Sequence, residues 1–170
     1  TLPWPNAVGK RTAVGPLVGA AESEAISELA KTTPLILVIT ATTAAAHNLA
    51  SELPFFLSDD REILLVPDWE TLPYDNFSPH EDIVSDRLKA LSRLPTLKSG
   101  VVIVSVTTLM HRLAPRHFID AGVLSLKTGE TLDAGQFVRN LTRNGYRSVD
   151  TVYACLLYTS DAADEDLRGG

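Results

Sequence analysis

The chain is nearly without sulphur. Of its 170 residues one is cysteine, Cys155, and one is methionine, Met110. A lone cysteine rules out a disulfide framework and removes the usual sign of a secreted scaffold. Long hydrophobic runs are missing too. Apolar runs such as Leu35 to Ile39 and Val101 to Val106 are strand-length, far short of the roughly 20 apolar residues that cross a bilayer. There is no basic excess either. The formal net charge is −6, which argues against the broad positive field with which proteins grip nucleic acid. No charged-then-apolar leader opens the chain, so the expected location is cytoplasmic, with no membrane partner. What remains is 45% hydrophobic residues at a mean hydropathy near zero, enough for the core of one ordinary soluble domain.

Both ends are unusual. The chain opens at Thr1 and Met110 is its only methionine, so an initiator is absent or removed. The run Cys155 to Glu165, Cys-Leu-Leu-Tyr-Thr-Ser-Asp-Ala-Ala-Asp-Glu, resembles an in-frame translation of a transposase-type sequencing adapter. We therefore expect residues 155–170 to be a non-native tail; the alternative is a natural polar terminus ending in Gly169-Gly170. The tail carries Asp161, Asp164, Glu165 and Asp166 against Arg168, a net −3, so the remainder is also −3 and has no cysteine.

Apolar periodicity places the elements. Ala20 to Lys31 reads as a helix stopped by Pro34, Leu35 to Ile39 as a strand, and Thr42 or Thr43 to Leu53 as a helix ended by Pro54. Glu62 to Val66 and Val101 to Val106 read as further strands. Strands that are apolar throughout and alternate with helices predict an α/β fold with a parallel sheet covered on both faces. Beyond Pro115 the pattern changes. Val123 to Leu126 alternates like a half-buried strand, and Thr128-Gly129 turns it. Asp133 with Gln136 caps a helix that Gly145 terminates, and Ser148 to Tyr153 reads as another strand. The predicted organisation is a first α/β domain over 1–116 and the opening of a small α+β unit over 117–153.

The most individual window is Pro67-Asp-Trp-Glu-Thr-Leu-Pro-Tyr-Asp-Asn-Phe-Ser-Pro-His-Glu-Asp82. Its end predicts a helix from Pro79, with Ser78 as N-cap, Pro79 at N1 and Glu81 at N3 closing a capping box. Ile83, Val84, Leu88, Leu91 and Leu94 recur at helical spacing and predict one buried face. Trp69, Tyr74 and Phe77, interleaved with prolines, read as aromatics sealing a core before a base-stacking platform.

Catalytic chemistry is not visible. A phosphate loop needs close-approaching glycines and a Lys-Ser/Thr pair. Gly9-Lys10 lacks the upstream glycine, because Trp4 stands there, and Arg11 follows. Gly15-Pro-Leu-Val-Gly19 has the glycines of a degenerate phosphate loop but runs into Ala20-Ala21-Glu22, without lysine or hydroxyl. No cofactor is expected for this chain. Of His80, Glu81, Asp82 and Asp86 only Asp82 and Asp86 share a helix face, so no metal site is expected. His47, His111 and His117 stand singly, and no serine or cysteine has a visible base. Arg139, Arg143 and Arg147, with Arg112 and Arg116, read as solvated basic faces.

The window Asp68-Trp-Glu-Thr-Leu-Pro-Tyr-Asp75 with Phe77-Ser-Pro-His80 and Ile83, Ser85, Arg87 and Leu88 resembles the N-terminal module of the bacterial transcription-repair coupling factor, Mfd. Gly100 to Leu113 and Gly145-Tyr-Arg-Ser-Val-Asp150 are second and third matches in order. The signature residues carried over are Asp68, Trp69, Glu70, Leu72, Pro73, Tyr74, Asp75, Ser78, Pro79 and Arg87. The resemblance implies a degenerate helicase (RecA-like, UvrB-like) domain without a working ATP site, in which Leu35 to Thr43 and Val101 to Leu113 are surviving strand-turn-helix elements. It implies a parent that is an ATP- and Mg-dependent DNA translocase, displaces stalled RNA polymerase on double-stranded DNA and recruits UvrA for nucleotide excision repair. The residues that touch UvrA in the family lie beyond Val152, so none transfers to this chain. The alternatives are a fragment of a UvrB-type nucleotide-dependent repair helicase, which would need a Gly-Lys-Thr/Ser loop ahead of Ala20, and an unrelated α/β interaction module.

Overall fold

A computed structural model of the chain describes residues 3–5, 7–58, 61–71, 76, 78–122, 128–129, 131–150 and 157–158. The elements are α1 (Ala21–Ala30), β1 (Leu35–Thr40), α2 (Thr43–Phe56), β2 (Ile63–Val66), α3 (Glu81–Arg93), a 3-10 turn (Leu94–Thr96), β3 (Gly100–Ser105), α4 (Val106–Leu109), α5 (Arg116–Gly122), α6 (Ala134–Arg143), β4 (Arg147–Ser148) and β5 (Leu157–Tyr158). They form two compact units, one of Thr1–Asp68 with Arg93–Arg112 and one of Trp69–Ser92 with Leu113–Gly170.

The first unit is the α/β body that the alternating apolar strands predict. Its sheet has the order β1-β3-β2, and both pairings are parallel, with Leu35 opposite Gly100, Ile63 opposite Val101 and Val66 opposite Val104. The central strand β3 is buried along its whole length. On one face Ile36, Val101 and Ile103 meet Ile26 and Ala30 of α1 and Ala46, Leu49 and Leu53 of α2 in one cluster. Leu53 and Ile103 are completely inaccessible, and burying such a side chain contributes about 1.5–3 kcal/mol. The prediction that both faces are covered fails at β1, where Leu35, Leu37 and Ile39 stay 44%, 57% and 51% exposed. Period two sends these three to the face opposite the cluster, and no described element of this unit covers them there.

Local chemistry sets the ends of these elements. Thr42 caps α2, its Oγ1 accepting from the Ala45 amide at 3.1 Å. Pro54 does not end the helix as expected; α2 runs on to Phe56. Proline in the last turn forfeits only its own bond, and the Leu57 amide still reaches the Leu53 carbonyl at 2.9 Å. The carbonyls left over where α1 ends are met from a distance: the Arg61 guanidinium donates to the carbonyls of Ala30, Thr33 and Pro34. Beside it, Arg93 Nε and Nη2 grip the Glu62 carboxylate at 2.9 and 2.7 Å. That grip, chiefly its hydrogen bonding, holds the Glu62 carboxyl below its ordinary range and raises Arg93.

In the second unit α3 begins at Glu81, two residues later than the predicted capping box requires. His80 takes the cap: its carbonyl accepts from the Val84 amide at 3.2 Å and its Nδ1 from the Asp82 amide at 3.3 Å. The Asp82 carboxylate also lies 3.2 Å from that nitrogen. Helix α6 matches its prediction, with Asp133 Oδ1 accepting from the Gln136 amide at 2.9 Å. Its end is a Schellman turn in which Gly145, at φ 86°, donates to the Thr142 carbonyl and Tyr146 to the Leu141 carbonyl. Helix α5 has no counterpart in the sequence reading, which marks only a change of pattern after Pro115. The Pro115 carbonyl accepts from the Phe118 amide at 2.9 Å, proline being well placed before a first turn. β4 pairs in parallel with β5 and shares only Ser148 with the strand expected over Ser148 to Tyr153. Residues 151–153 and the predicted strand Val123 to Leu126 lie outside the described residues.

Candidate functional site

In an open parallel sheet, ligands bind beyond the carboxyl ends of the strands. In the first unit those ends meet at Asp68. β2 finishes at Val66, and two residues later Asp68 Oδ2 accepts from Thr43 Oγ1 at 3.2 Å and from Thr107 Oγ1 at 2.9 Å. Thr43 opens α2 just after β1, and Thr107 lies in α4 just after β3, so one carboxylate gathers the ends of all three strands. His111 stands on the other side, its Nδ1 3.8 Å from Asp68 Oδ1. The end of β3 adds further hydroxyls: Ser105 Oγ lies 2.8 Å from Thr107 Oγ1 and 2.9 Å from Thr108 Oγ1, and also accepts from the Thr108 amide at 3.2 Å. Ser105 and Thr108 are buried.

The predicted signature residues are used in different ways. Asp68 is the hub just described. In the second unit Trp69 is half-buried and its ring receives the Arg87 guanidinium, with Cζ 4.7 Å from the ring centroid. Arg87, only 2% exposed, and Ala90 are the buried residues of α3. Leu88, predicted on the buried face, is 42% exposed. The stripe turned inward therefore centres on 87 and 90, with Ile83, Val84 and Leu91 half-buried. The arginine hides its place in it, because a charged residue reads as solvent-facing until a desolvating aromatic partner is found. Glu70 is exposed and holds φ 57°. Ser78 and Pro79 precede the observed helix start. Leu72, Pro73, Tyr74, Asp75 and Phe77 lie outside the described residues.

Gly15 and Gly19 sit in an exposed, irregular stretch before α1, with Gly19 at φ 61°. The helix they lead into starts without a side-chain cap and has Glu22 and Glu24 in its first turn, charges that oppose a phosphate at that end. Arg139 and Arg143 are exposed, and Arg147 lies 3.4 Å from Glu81, an open pair of little energetic weight. A shallow cavity of about 240 Å³, lined by Ala30, Lys31, Phe56 and Arg61 among others, lies by the end of α1, away from the strands' carboxyl ends. No helix among the described residues is long and apolar enough to cross a membrane.

No family model matches the chain. Curated proteins do. The chain is 39% identical over 165 residues to the transcription-repair-coupling factor of Escherichia coli, a match covering 96% of this chain and 14% of that protein. It is 39% identical over 140 residues to the Haemophilus influenzae protein of the same name, covering 82% of this chain and 12% of the relative. Against the Mycobacterium tuberculosis protein of that name identity is 38% over 135 residues, covering 74% and 10%. The chain thus spans about one-seventh of the length of the first of these relatives and less of the others. With identities at this level over most of its residues, this chain belongs to the transcription-repair-coupling factor family, as a segment of such a protein.

Proposed function

We propose that this segment is a non-catalytic, helicase-like module of a transcription-repair-coupling factor, RecA-like and UvrB-like in fold, with no working nucleotide site. The observation that carries this reading is the loop from Gly15 to Gly19. It stands ahead of the first helix of an α/β unit, where a phosphate loop belongs, yet offers neither lysine nor hydroxyl and leads into Glu22 and Glu24. Phosphate binding at such a loop depends on that lysine and on amides free of opposing charge.

In this reading residues 1–116 form the helicase-like domain and 117–153 the opening of a second small α+β domain. The parent protein supplies the activity: an ATP- and Mg-dependent translocase on double-stranded DNA that removes stalled RNA polymerase and recruits UvrA, working in the cytoplasm. The segment contributes a scaffold to it.

Titration of the purified chain with a fluorescent ATP analogue and Mg²⁺ tests the central point. No saturable binding is expected in the concentration range where nucleotide enzymes saturate. Tight binding that is lost in Lys10→Ala would replace the scaffold with a working nucleotide domain.

A further inference from the structure

The hydroxyl groups around Asp68 have a direction that proton counting fixes. A serine or threonine hydroxyl has one proton to donate, and a carboxylate oxygen only accepts. Thr107 Oγ1 is 2.9 Å from Asp68 Oδ2, so its proton goes to the carboxylate. Ser105 must then be the donor across its 2.8 Å contact with Thr107, and Thr108 the donor across its 2.9 Å contact with Ser105. The result is a relay, Thr108 to Ser105 to Thr107 to Asp68, that starts from buried hydroxyls at the end of the central strand and terminates on one oxygen. Thr43 Oγ1 brings a second, independent proton to the same oxygen at 3.2 Å. Each donor in such a chain polarises the next, so the carboxylate end receives a stronger bond than an isolated threonine would give.

Two converging hydroxyl donors at the carboxyl ends of parallel strands, with an imidazole nitrogen facing the same group at 3.8 Å, make a cradle for a small oxyanion. We propose that Asp68 is the resident of that cradle: an internal carboxylate ligand that fills the crevice, closing it to external anions, and that the cradle accepts a free carboxylate once Asp68 is removed. Its side chain is 16% exposed, so the position is reachable from solvent when the side chain is gone. The inference concerns the strand ends alone and stands or falls separately from the glycine loop, which the ATP titration tests.

The experiment is chemical rescue. Asp68→Ala leaves Thr43 and Thr107 donating to nothing, and its thermal midpoint, measured in chloride, is expected to drop by several degrees. Formate, the carboxylate that the substitution removes, should recover at least half of that drop in a saturable, millimolar-range titration at constant ionic strength, while the parent chain stays indifferent to the exchange of chloride for formate. Adding Thr107→Val to Asp68→Ala should abolish the recovery. Equal midpoints of Asp68→Ala in formate and chloride, or the same formate response in the parent, would overturn the proposal. Asp68→Asn gives an independent reading if the alanine variant does not fold. The amide fills the same space and can set one accepting oxygen where both hydroxyls converge, but it lacks the carboxylate's charge and puts an amino group in place of the other oxygen, so asparagine should lower the midpoint and, with the cradle still filled, show no response to formate. An asparagine variant as stable as the parent would mean that the cradle holds a neutral acceptor as well as a carboxylate, and would overturn the proposal.

Discussion

Replacing Gly100 with alanine should be the most damaging single-methyl change in the first unit. Gly100 opens β3 at φ 142°, a conformation close to closed to residues with a Cβ and costing about 1–3 kcal/mol there. The space is closed as well. A Cβ built on Gly100 would lie 2.3 Å from the carbonyl oxygen of Glu62 and 3.2 Å from its carbonyl carbon. That oxygen cannot simply turn aside, because it accepts from the Val101 amide at 2.8 Å and so starts the pairing of β2 with β3, while the Gly100 amide itself donates to the Pro34 carbonyl at 2.8 Å. Relief requires shifting backbone that both edge strands share with β3, which adds a hydrogen bond's net worth of about 0.5–1.5 kcal/mol, and more if a buried group is left unpaired. The sum is about 3 kcal/mol or more, a large share of a domain's usual 5–15 kcal/mol. Gly19→Ala is the matched control: it too has positive φ, 61°, but nothing within 4 Å of the added carbon, so it should cost about 1–2 kcal/mol. Urea denaturation of both variants, read as midpoint at constant slope, separates conformation from collision. Equal losses for the two would refute the collision argument.

Three further changes address other elements. Glu70→Gly should stabilise by about 0.5–1 kcal/mol, because an exposed residue at φ 57° gains from glycine's freedom more than the unfolded chain does; a lowered urea midpoint would show that the glutamate side chain has a contact worth more. Asp133→Ala should cost about 1 kcal/mol through the lost cap of α6, while Ser78→Ala should stay within about 0.5 kcal/mol, since α3 begins at Glu81; comparable losses would restore the capping box at Ser78. For Glu62, a folded-state carboxyl held below its ordinary value of 4.5 stabilises above that value and loses the contribution as pH falls through the folded one. Glu62→Gln should therefore reduce the loss of thermal midpoint on acidification below about pH 4.5 at low salt, by an amount that shrinks as salt is added because the pair is open to solvent. Unchanged acid sensitivity would assign it to other carboxylates.

What could be read from the sequence, and what could not, follows the range of the interactions. The strands at Leu35, Glu62 and Val101 announce themselves as short apolar runs, and parallel pairing follows from the helices between them. Thr42 and Asp133 could be assigned as caps because their partners lie three residues on. Pro54 misled because a rule for helix interiors was applied to a last turn. The capping box misled because Ser78-Pro79 satisfies a sequence pattern that His80 pre-empts. Arg87 was placed in the family signature without a role, since nothing local reveals that its guanidinium lies over Trp69, eighteen positions earlier. The sheet face at Leu35, Leu37 and Ile39 was read as covered because apolar residues at both parities imply two buried faces, whereas exposure depends on what lies over them.

The site itself is the clearest case of this limit. Thr43, Asp68, Thr107 and His111 are unremarkable one by one, and the hydrogen bonds that join them span 25 and 39 positions. The window around Asp68 stands out in the sequence for its aromatics and prolines, yet the interactions that explain its first three residues differ in kind. Asp68 terminates a hydroxyl relay, Trp69 provides a face for a buried cation, and Glu70 holds a left-handed turn in solvent. Each demand selects a different residue type, which is why such a run cannot be replaced by generic loop composition. It also fixes how the run should tolerate change: Glu70 accepts glycine, Trp69 requires another aromatic face for Arg87, and Asp68 requires a carboxylate to receive two protons that converge on one oxygen.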